Sequence, residues 1–204
     1  MRLVIAIVDY GMGNLRSVEN ALDSLGIKSI ITDDKELILN SDGIILPGVG
    51  AFPDAIDNII KSGLDTILRK AVEEDKFILG ICLGMQLLFE ESDEGKNSKG
   101  LGFLKGKIEK IKGDLKIPHM GWNSLVYNKK SPILSGIEEG SYVYFVHSYY
   151  AEVSEENILN DYVDYGVKIP GVVSKENIYG LQFHPEKSGD IGLRMLKNFG
   201  EMVK

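Results

Sequence analysis

The chain has 204 residues, 44% of them hydrophobic and 26% charged, and its formal net charge at neutral pH is −7. This composition provides a substantial apolar core, so we expect a single globular domain over residues 1–204. The negative charge argues against a nucleic-acid surface, and the apolar opening run stops at Asp9, too early for a membrane span or a signal peptide. One cysteine excludes an intrachain disulfide and fits a reducing compartment, so we expect a cytoplasmic protein.

The first half of the chain alternates short apolar runs with helical patterns. The predicted strands are Leu3–Val8, Lys28–Thr32, Gly43–Leu46 and Phe77–Ile81. Their apolar residues are continuous, as in strands that are covered on both faces. The first predicted helix places Leu15, Val18, Leu22 and Leu25 on one face and ends at Gly26. A second starts near Pro53, breaks near Gly63 and resumes to Val72. This alternation predicts an α/β fold with a mainly parallel central sheet flanked by helices.

The second half is mostly β. Strand patterns occur in KIEKIK, SLVY, SYVYFVHSYYAEV, YGVKIPGVVS and IYGLQFH, which adds strands in the C-terminal half of the chain. A closing helix is predicted over Ile191–Met202. The charged, glycine-bearing segment Glu90–Gly100 is predicted to be a surface loop.

The only cysteine, Cys82, follows the fourth apolar run and precedes Gly84. Two interpretations compete at this point. A free cysteine is most often a small core residue. Alternatively, a cysteine at a strand-to-helix turn is a nucleophile, because the amides at a helix N-terminus favour a thiolate.

A cysteine nucleophile needs a base and a group that orients the base, and the chain offers His119, His147 and His184. His184 is separated from Glu186 by one residue, so the two side chains share a face if the chain is extended there. A carboxylate in that position fixes the imidazole tautomer and supports the imidazolium, as in a catalytic triad. A surface histidine–glutamate pair has the same spacing, so the pattern alone leaves both open.

Two glycine-bearing loops follow predicted strands. LPGVG, Leu46–Gly50, permits close backbone approach at the carboxyl end of the third strand, where oxyanion donors would lie. The alternative is that Pro47 and Gly48 only turn the chain, as most Pro–Gly pairs do. DYGMGN, Asp9–Asn14, fits the first half of a dinucleotide-binding GxGxxG motif. Arg16 occupies the third glycine position, which excludes that motif.

GICLGMQLLFEES together with FHPEKS resembles the class I, triad-type glutamine amidotransferases. VDYGMGNLRSV, LPGVGAF, PHMGWN and YFVHSYY also occur in order and match more closely one subgroup of that family, which serves histidine biosynthesis. The resemblance covers essentially the whole chain and implies the class I amidotransferase fold, with neither cofactor nor metal.

The resemblance implies a role for each matching residue. Cys82 would be the nucleophile on the glutamine carboxamide, His184 the proton shuttle and Glu186 its orienting group. The amides of Val49 and Leu83 would form the oxyanion hole. The residues implied around glutamine are Gly50, Gln86, Glu94, Ser148 and Tyr149. Two alternatives stay open: Glu94 is a solvated charge on a loop, and Tyr149 is an ordinary aromatic residue of a strand.

The resemblance also implies a partner. In the subgroup, ammonia passes to a (β/α)8-barrel cyclase subunit, and the residues implied at this interface and along the ammonia passage are Trp122, Asn123, Tyr144 and Lys187. A lone tryptophan is more often a core residue, yet tryptophan is enriched in binding hot spots. Two alternatives are a different triad glutaminase, such as one feeding pyridoxal phosphate synthesis, and a catalytically silent binding module. PHMGWN argues against the first and the intact triad positions against the second.

Overall fold

The computed structural model describes residues 4–95, 98–113 and 115–204. Leu3, the first residue of the first predicted strand, lies outside these residues. The N-terminal half contains β1 (Val4–Val8), α1 (Leu15–Ser24), β2 (Lys28–Thr32), α2 (Lys35–Asn40), β3 (Gly43–Gly48), α3 (Phe52–Ser62), α4 (Leu64–Glu73), β4 (Phe77–Cys82) and α5 (Leu83–Leu87).

The remaining elements are mostly strands. They are β5 (Glu91–Ser92), β6 (Ser98–Lys99), β7 (Gly106–Lys110), β8 (His119–Ser124), β9 (Val126–Tyr127), β10 (Tyr142–His147), β11 (Tyr149–Val153), β12 (Leu159–Asp164), β13 (Lys168–Lys175), β14 (Ile178–Leu181) and the closing helix α6 (Gly189–Met202). None of the helices in the described ranges is long and apolar enough to cross a membrane.

An eight-stranded sheet forms the centre, in the order β2-β1-β3-β4-β14-β13-β12-β9. The pairs from β2 to β14 are parallel, and those from β14 to β9 are antiparallel. A two-stranded sheet, β10-β8, and a four-stranded sheet, β11-β7-β5-β6, complete the second half. The prediction of a mainly parallel α/β sheet with added strands in the C-terminal half is therefore confirmed.

Successive residues of the parallel strands point to opposite faces of the sheet, and both faces are covered. On β1, Ala6 and Val8 pack with α3 and α4, whereas Ile5 and Ile7 pack with α1 and α6. All four side chains are fully buried. Burial on both faces explains why these strands appear in the sequence as continuous apolar runs rather than alternating ones.

Several sequence-based predictions were wrong in detail. The predicted surface loop Glu90–Gly100 contains the short strands β5 and β6, with residues 96 and 97 outside the described part. β3 continues two residues beyond Leu46, because its last pair joins Gly48 to Cys82 of β4. α2 and β12 were not predicted: α2 has only six residues, and β12 carries polar residues that are buried.

Candidate active site

The nucleophile candidate lies at a strained turn between β4 and α5. Cys82 has φ +53° and ψ −111°, a conformation that costs a non-glycine residue on the order of 1–3 kcal/mol and is concentrated at functional sites. Glycines on both sides make the turn possible: a Cβ at Gly80 would meet the backbone of Met85, and one at Gly84 would clash with the Leu46 carbonyl oxygen. A cysteine that only fills the core does not require this strained backbone conformation, so the geometry favours the nucleophile interpretation.

Cys82 opens onto a cavity of about 340 Å³, a size typical of small-molecule sites. The cavity brings together most residues predicted for the site. It is lined by Val49, Gly50, Cys82, Leu83, Gln86, Glu94, Ser148, Tyr149, His184 and Lys187, together with Pro118, Val146 and His147. Because Gly48 pairs with Cys82 across β3 and β4, the LPGVG loop and the thiol share the carboxyl edge of the sheet.

His184 and Glu186 form a buried pair. His184 Nδ1 lies 2.8 Å from Glu186 Oε1, and the side chains are only 3% and 1% exposed, which excludes a surface pair. The spacing of the two residues predicted this contact for an extended chain, but the chain is not extended here. Pro185–Lys187 is a turn of 3₁₀ helix, which folds the carboxylate back onto the imidazole.

The charge state of His184 follows from these neighbours. Burial disfavours the imidazolium, but the polar contact and charge of the Cys82 sulfur and of the Glu186 carboxylate favour it more strongly, and together they raise the pKa of His184 from 6.5 to about 9. Its Nε2 has no hydrogen-bond partner within the described part of the chain, although it is buried. The ring therefore keeps one nitrogen free for proton transfer in the cavity while the other is held by the carboxylate.

The other two histidines form a second buried pair. His119 Nδ1 lies 3.0 Å from His147 Nε2, and His147 Nδ1 lies 2.8 Å from the Tyr149 carbonyl oxygen. The carbonyl only accepts, so His147 Nδ1 donates to it and His119 donates to His147. Burial lowers the pKa of His119 to about 4 and that of His147 to about 3, so both rings are neutral at pH 7.

Two of the predicted glutamine-contacting residues also have structural roles. Gln86 donates from Nε2 to the Tyr149 carbonyl at 2.9 Å and to Gln182 Oε1 at 3.1 Å, which leaves its own carbonyl oxygen for a ligand. Glu94 Oε2 accepts from the Phe52 amide at 2.8 Å, at the start of α3, where the N-cap residue provides no side-chain bond. Glu94 therefore supports α3 as well as lining the cavity.

The residues predicted for a partner interface lie beside the cavity rather than in it, except Lys187. The PHMGWN segment was not predicted to be a strand, but all of it after Pro118 lies in β8. There Trp122 pairs with Tyr144 of β10 and contacts its ring edge-on at a centroid distance of 6.0 Å. Trp122 is 55% exposed, so it is not a core residue. Asn123, next to it, accepts from the Ser124 amide through its side chain.

Sequence reasoning missed two residues that contact the site. Tyr10, in the DYGMGN segment, donates from its hydroxyl to the Pro47 carbonyl at 2.8 Å and so holds the base of the LPGVG loop. Burial and the nearby Cys82 raise its pKa, so the phenol stays protonated. Gln182 is fully buried, and its Nε2 lies 3.9 Å from Cys82 Sγ. Gln182 follows the apolar strand β14, as Cys82 ends β4, and this polar strand end was its signal.

The site offers no metal centre: among residues 4–95, 98–113 and 115–204, no group of three histidine, cysteine, aspartate or glutamate side chains is arranged to hold a metal ion.

Comparison with known proteins agrees with this geometry. Residues 6–202 match the family model of class-I glutamine amidotransferases. The chain is 57% identical to the imidazole glycerol phosphate synthase subunit HisH of Bacillus cereus, over 98% of this chain and 96% of that protein. It is 53% identical to the HisH subunit of Bacillus cytotoxicus with the same coverage. The solved structure of PurLQS from Thermotoga maritima has the same fold, with a TM-score of 0.79 over the full length of both chains at 22% identity. The chain belongs to the class-I glutamine amidotransferase family.

Proposed function

We propose that this chain is the glutaminase subunit of an imidazole glycerol phosphate synthase, acting in the cytoplasm, and that residues 1–204 form one amidotransferase domain. The observation that carries the proposal is the buried His184–Glu186 pair beside a strained Cys82, at a cavity large enough for a small polar substrate. The high identity to HisH subunits, whose name states the synthase they belong to, supports this choice over another triad glutaminase.

The reaction begins at the sulfur. The Cys82 thiolate attacks the carboxamide carbon of glutamine, and the carbonyl oxygen becomes an oxyanion that the amides of Val49 and Leu83 stabilise. The imidazolium of His184 gives its proton to the carboxamide nitrogen, the C–N bond breaks and the nitrogen leaves as ammonia, and a thioester remains on Cys82. Neutral His184 then takes a proton from water as that water attacks the thioester, and glutamate leaves.

Glu186 supports both halves of this cycle. By accepting from His184 Nδ1, it fixes the tautomer that presents Nε2 to the cavity and stabilises the imidazolium. Gly50, Gln86, Glu94, Ser148 and Tyr149 surround glutamine in this proposal, and a carboxylate such as Glu94 complements the α-ammonium of the substrate.

The ammonia leaves for a second polypeptide. The HisH relatives are named as subunits of imidazole glycerol phosphate synthase, which supports a separate (β/α)8-barrel subunit as the cyclase that makes imidazole glycerol phosphate and aminoimidazole carboxamide ribotide. We assign its docking surface to the exposed side chains of β8 and β10. These are Met120 and Tyr142, each 59% exposed, and Trp122. The half-buried Asn123 and Tyr144 lie on the same two strands, and Lys187 lines the cavity.

The proposed docking surface is hydrogen-bonded to His184 and Ser188, which flank the 3₁₀ turn Pro185–Lys187. The Tyr144 carbonyl of β10 accepts from the His184 amide at 3.0 Å, and the Tyr144 amide donates to Ser188 Oγ at 3.0 Å. A partner that shifts β10 therefore shifts the backbone of the proton shuttle. The other control point is Val49, which is 42% exposed on the LPGVG loop. If its amide points away from the oxyanion in the free chain, the missing donor lowers turnover by roughly 10²–10³-fold.

The experiment measures glutamate release by the chain alone, by the complex with the barrel subunit, and by the complex with bound acceptor. We expect turnover to rise at each step, and a free chain as active as the liganded complex would contradict control by the partner.

In the complex, Cys82→Ser should abolish synthesis from glutamine and leave synthesis from ammonium salts intact. Retention of glutaminase activity by this variant would exclude Cys82 as the nucleophile, and no glutamate release from any wild-type form would support the binding-module alternative.

A further inference from the structure

Gln182 is placed next to Cys82 by strand register. β14 and β4 are parallel neighbours that pair residue by residue up to Leu181 and Ile81. The next position on each chain is therefore Gln182 and Cys82. The Gln182 backbone amide donates to the Gly171 carbonyl at 2.9 Å, which fixes the main chain at the point where it leaves the sheet. The side chain thus starts from a rigid position beside the nucleophile.

The orientation of the Gln182 amide is also fixed. Its Oε1 accepts from Gln86 Nε2 at 3.1 Å, so its Nε2 is turned to the other side, where Cys82 Sγ lies 3.9 Å away. Gln86 cannot rotate its own amide without losing its bond to the Tyr149 carbonyl, which also accepts from His147. The amide hydrogens of Gln182 are therefore directed at the sulfur by a chain of hydrogen bonds.

The sulfur is an unusual partner for a buried amide. Gln182 is fully buried, and a buried N–H donor without a good acceptor costs on the order of 1–3 kcal/mol. A thiol is a weak acceptor, whereas a thiolate is a charged one, and hydrogen bonds to charged groups are shorter and roughly twice as strong. The arrangement consequently gains most when Cys82 is ionised.

We propose that Gln182 is a further catalytic residue of the glutaminase reaction, whose amide donates to Cys82 Sγ and favours the thiolate, and that Gln86 holds it in that orientation. This inference deepens the proposed function and rests on it. His184 stabilises the thiolate from the cavity side and takes part in proton transfer; Gln182 stabilises it from within the sheet and exchanges no proton. The role of Gln86 is accordingly one of positioning as well as of lining the cavity.

The test uses the single thiol of the chain. Alkylation by iodoacetamide, followed by mass spectrometry of the intact chain from about pH 5 to about pH 10, reports the ionisation of Cys82 alone. In Gln182→Met, which keeps the length of the side chain and removes the donor, we expect the alkylation midpoint to rise by about one pH unit. In the complex, kcat for glutamine should fall about tenfold with little change in KM, because the lost bond is to the nucleophile.

A matched control is the buried amide of Asn198 on α6, which donates to the carbonyls of Ile133 and Ser135 outside the cavity. Asn198→Leu should lower the melting temperature and leave the alkylation midpoint at the wild-type value. If Gln182→Met behaves in the same way, Gln182 is a structural amide and the proposal is overturned.

A second variant covers the case in which Gln182→Met does not fold. Gln182→Glu keeps the shape and the bond from Gln86, and it brings negative charge to the sulfur, so the midpoint should rise further than in the methionine variant. An unchanged midpoint overturns the proposal. Alkylation needs no glutamine: a shifted midpoint in a chain that never releases glutamate would refute the proposed function while the contact with Cys82 stands.

Discussion

The protein buries two histidine-containing pairs, His184–Glu186 and His119–His147, which differ in the group that faces the imidazole ring. His184 faces a carboxylate and a thiol, and its pKa is raised to about 9. His119 and His147 face each other and a backbone carbonyl, and their pKa values are lowered to about 4 and 3. All three rings are buried. Burial alone removes the charge, and a negatively charged partner restores it.

The difference separates chemistry from support. Within the described residues, only His184 has a ring nitrogen without a partner at the cavity and a carboxylate bonded to the other nitrogen, as the proposed proton shuttle requires. The His119–His147 pair instead holds the Tyr149 carbonyl, which also anchors Gln86. Neutral rings suit this task, because a charged pair of imidazoles would repel.

The largest expected difference between the two pairs is between the variants His184→Asn and His119→Asn. His184→Asn removes the proposed proton shuttle and should lower glutamine turnover of the complex by at least about 10³-fold. His119→Asn should keep turnover within about tenfold, because the side chain retains a donor for His147. Glutamate release measures both. Similar losses in the two variants would show that the His119–His147 pair takes part in the chemistry.

Sequence patterns predicted which residues line this cavity better than they predicted how those residues are arranged. Cys82, the LPGVG loop and His184 all follow apolar runs, and polar residues at the ends of parallel strands meet at one edge. Gln182 follows the same rule, but an amide side chain is neither a nucleophile nor a base, so no catalytic pattern in the sequence singles it out.

Other features could not be predicted from sequence pattern. The 3₁₀ turn that folds Glu186 onto His184 depends on tertiary contacts, including the bond from Ser188 Oγ to the His184 carbonyl at 2.6 Å. The pairing of His119 with His147 follows from β8 lying against β10, an antiparallel contact between segments 28 residues apart. The positive φ of Cys82 likewise has no pattern in the sequence beyond the glycines beside it.

Glu186→Gln should slow glutamine turnover by roughly 10²-fold or more, because the amide can hold either imidazole tautomer and supplies no negative charge. We expect the variant to remain folded, with a loss of no more than about 1–3 kcal/mol at neutral pH. Glu186 Oε2 has no hydrogen-bond partner in the described residues, so the substitution breaks no second bond. Turnover and thermal unfolding measure the two effects. A control variant, Glu109→Gln, loses the solvent-screened ion pairs with Lys107 and Lys112 and should change neither. Lower stability with unchanged turnover would mark Glu186 as a structural ion partner.

The smallest effect, and the one that tests the comparison most directly, is the pH dependence of stability. His184 has a folded pKa above its unfolded value near 6.5, so its contribution is complete below pH 6.5 and is lost as pH rises through about 9. His119 and His147 have folded pKa values below 6.5, so their contribution is complete above pH 6.5 and is lost as pH falls through about 4 and 3. Stability should therefore decline on both sides of about pH 6.5.

Two variants assign each decline to its pair. Glu186→Gln should flatten the alkaline side by roughly 1–3 kcal/mol and leave the acid side unchanged, because it withdraws the charge that raises the pKa of His184. His119→Phe keeps the stacking of His119 on Tyr165, at 3.9 Å, and on Phe145, and it removes one of the two titrating rings, so it should flatten only the acid side. Urea unfolding from about pH 4 to about pH 10 measures both slopes. Equal flattening of both sides by either variant would mean that the two pairs titrate as one coupled system, and the division between chemistry and support would not hold.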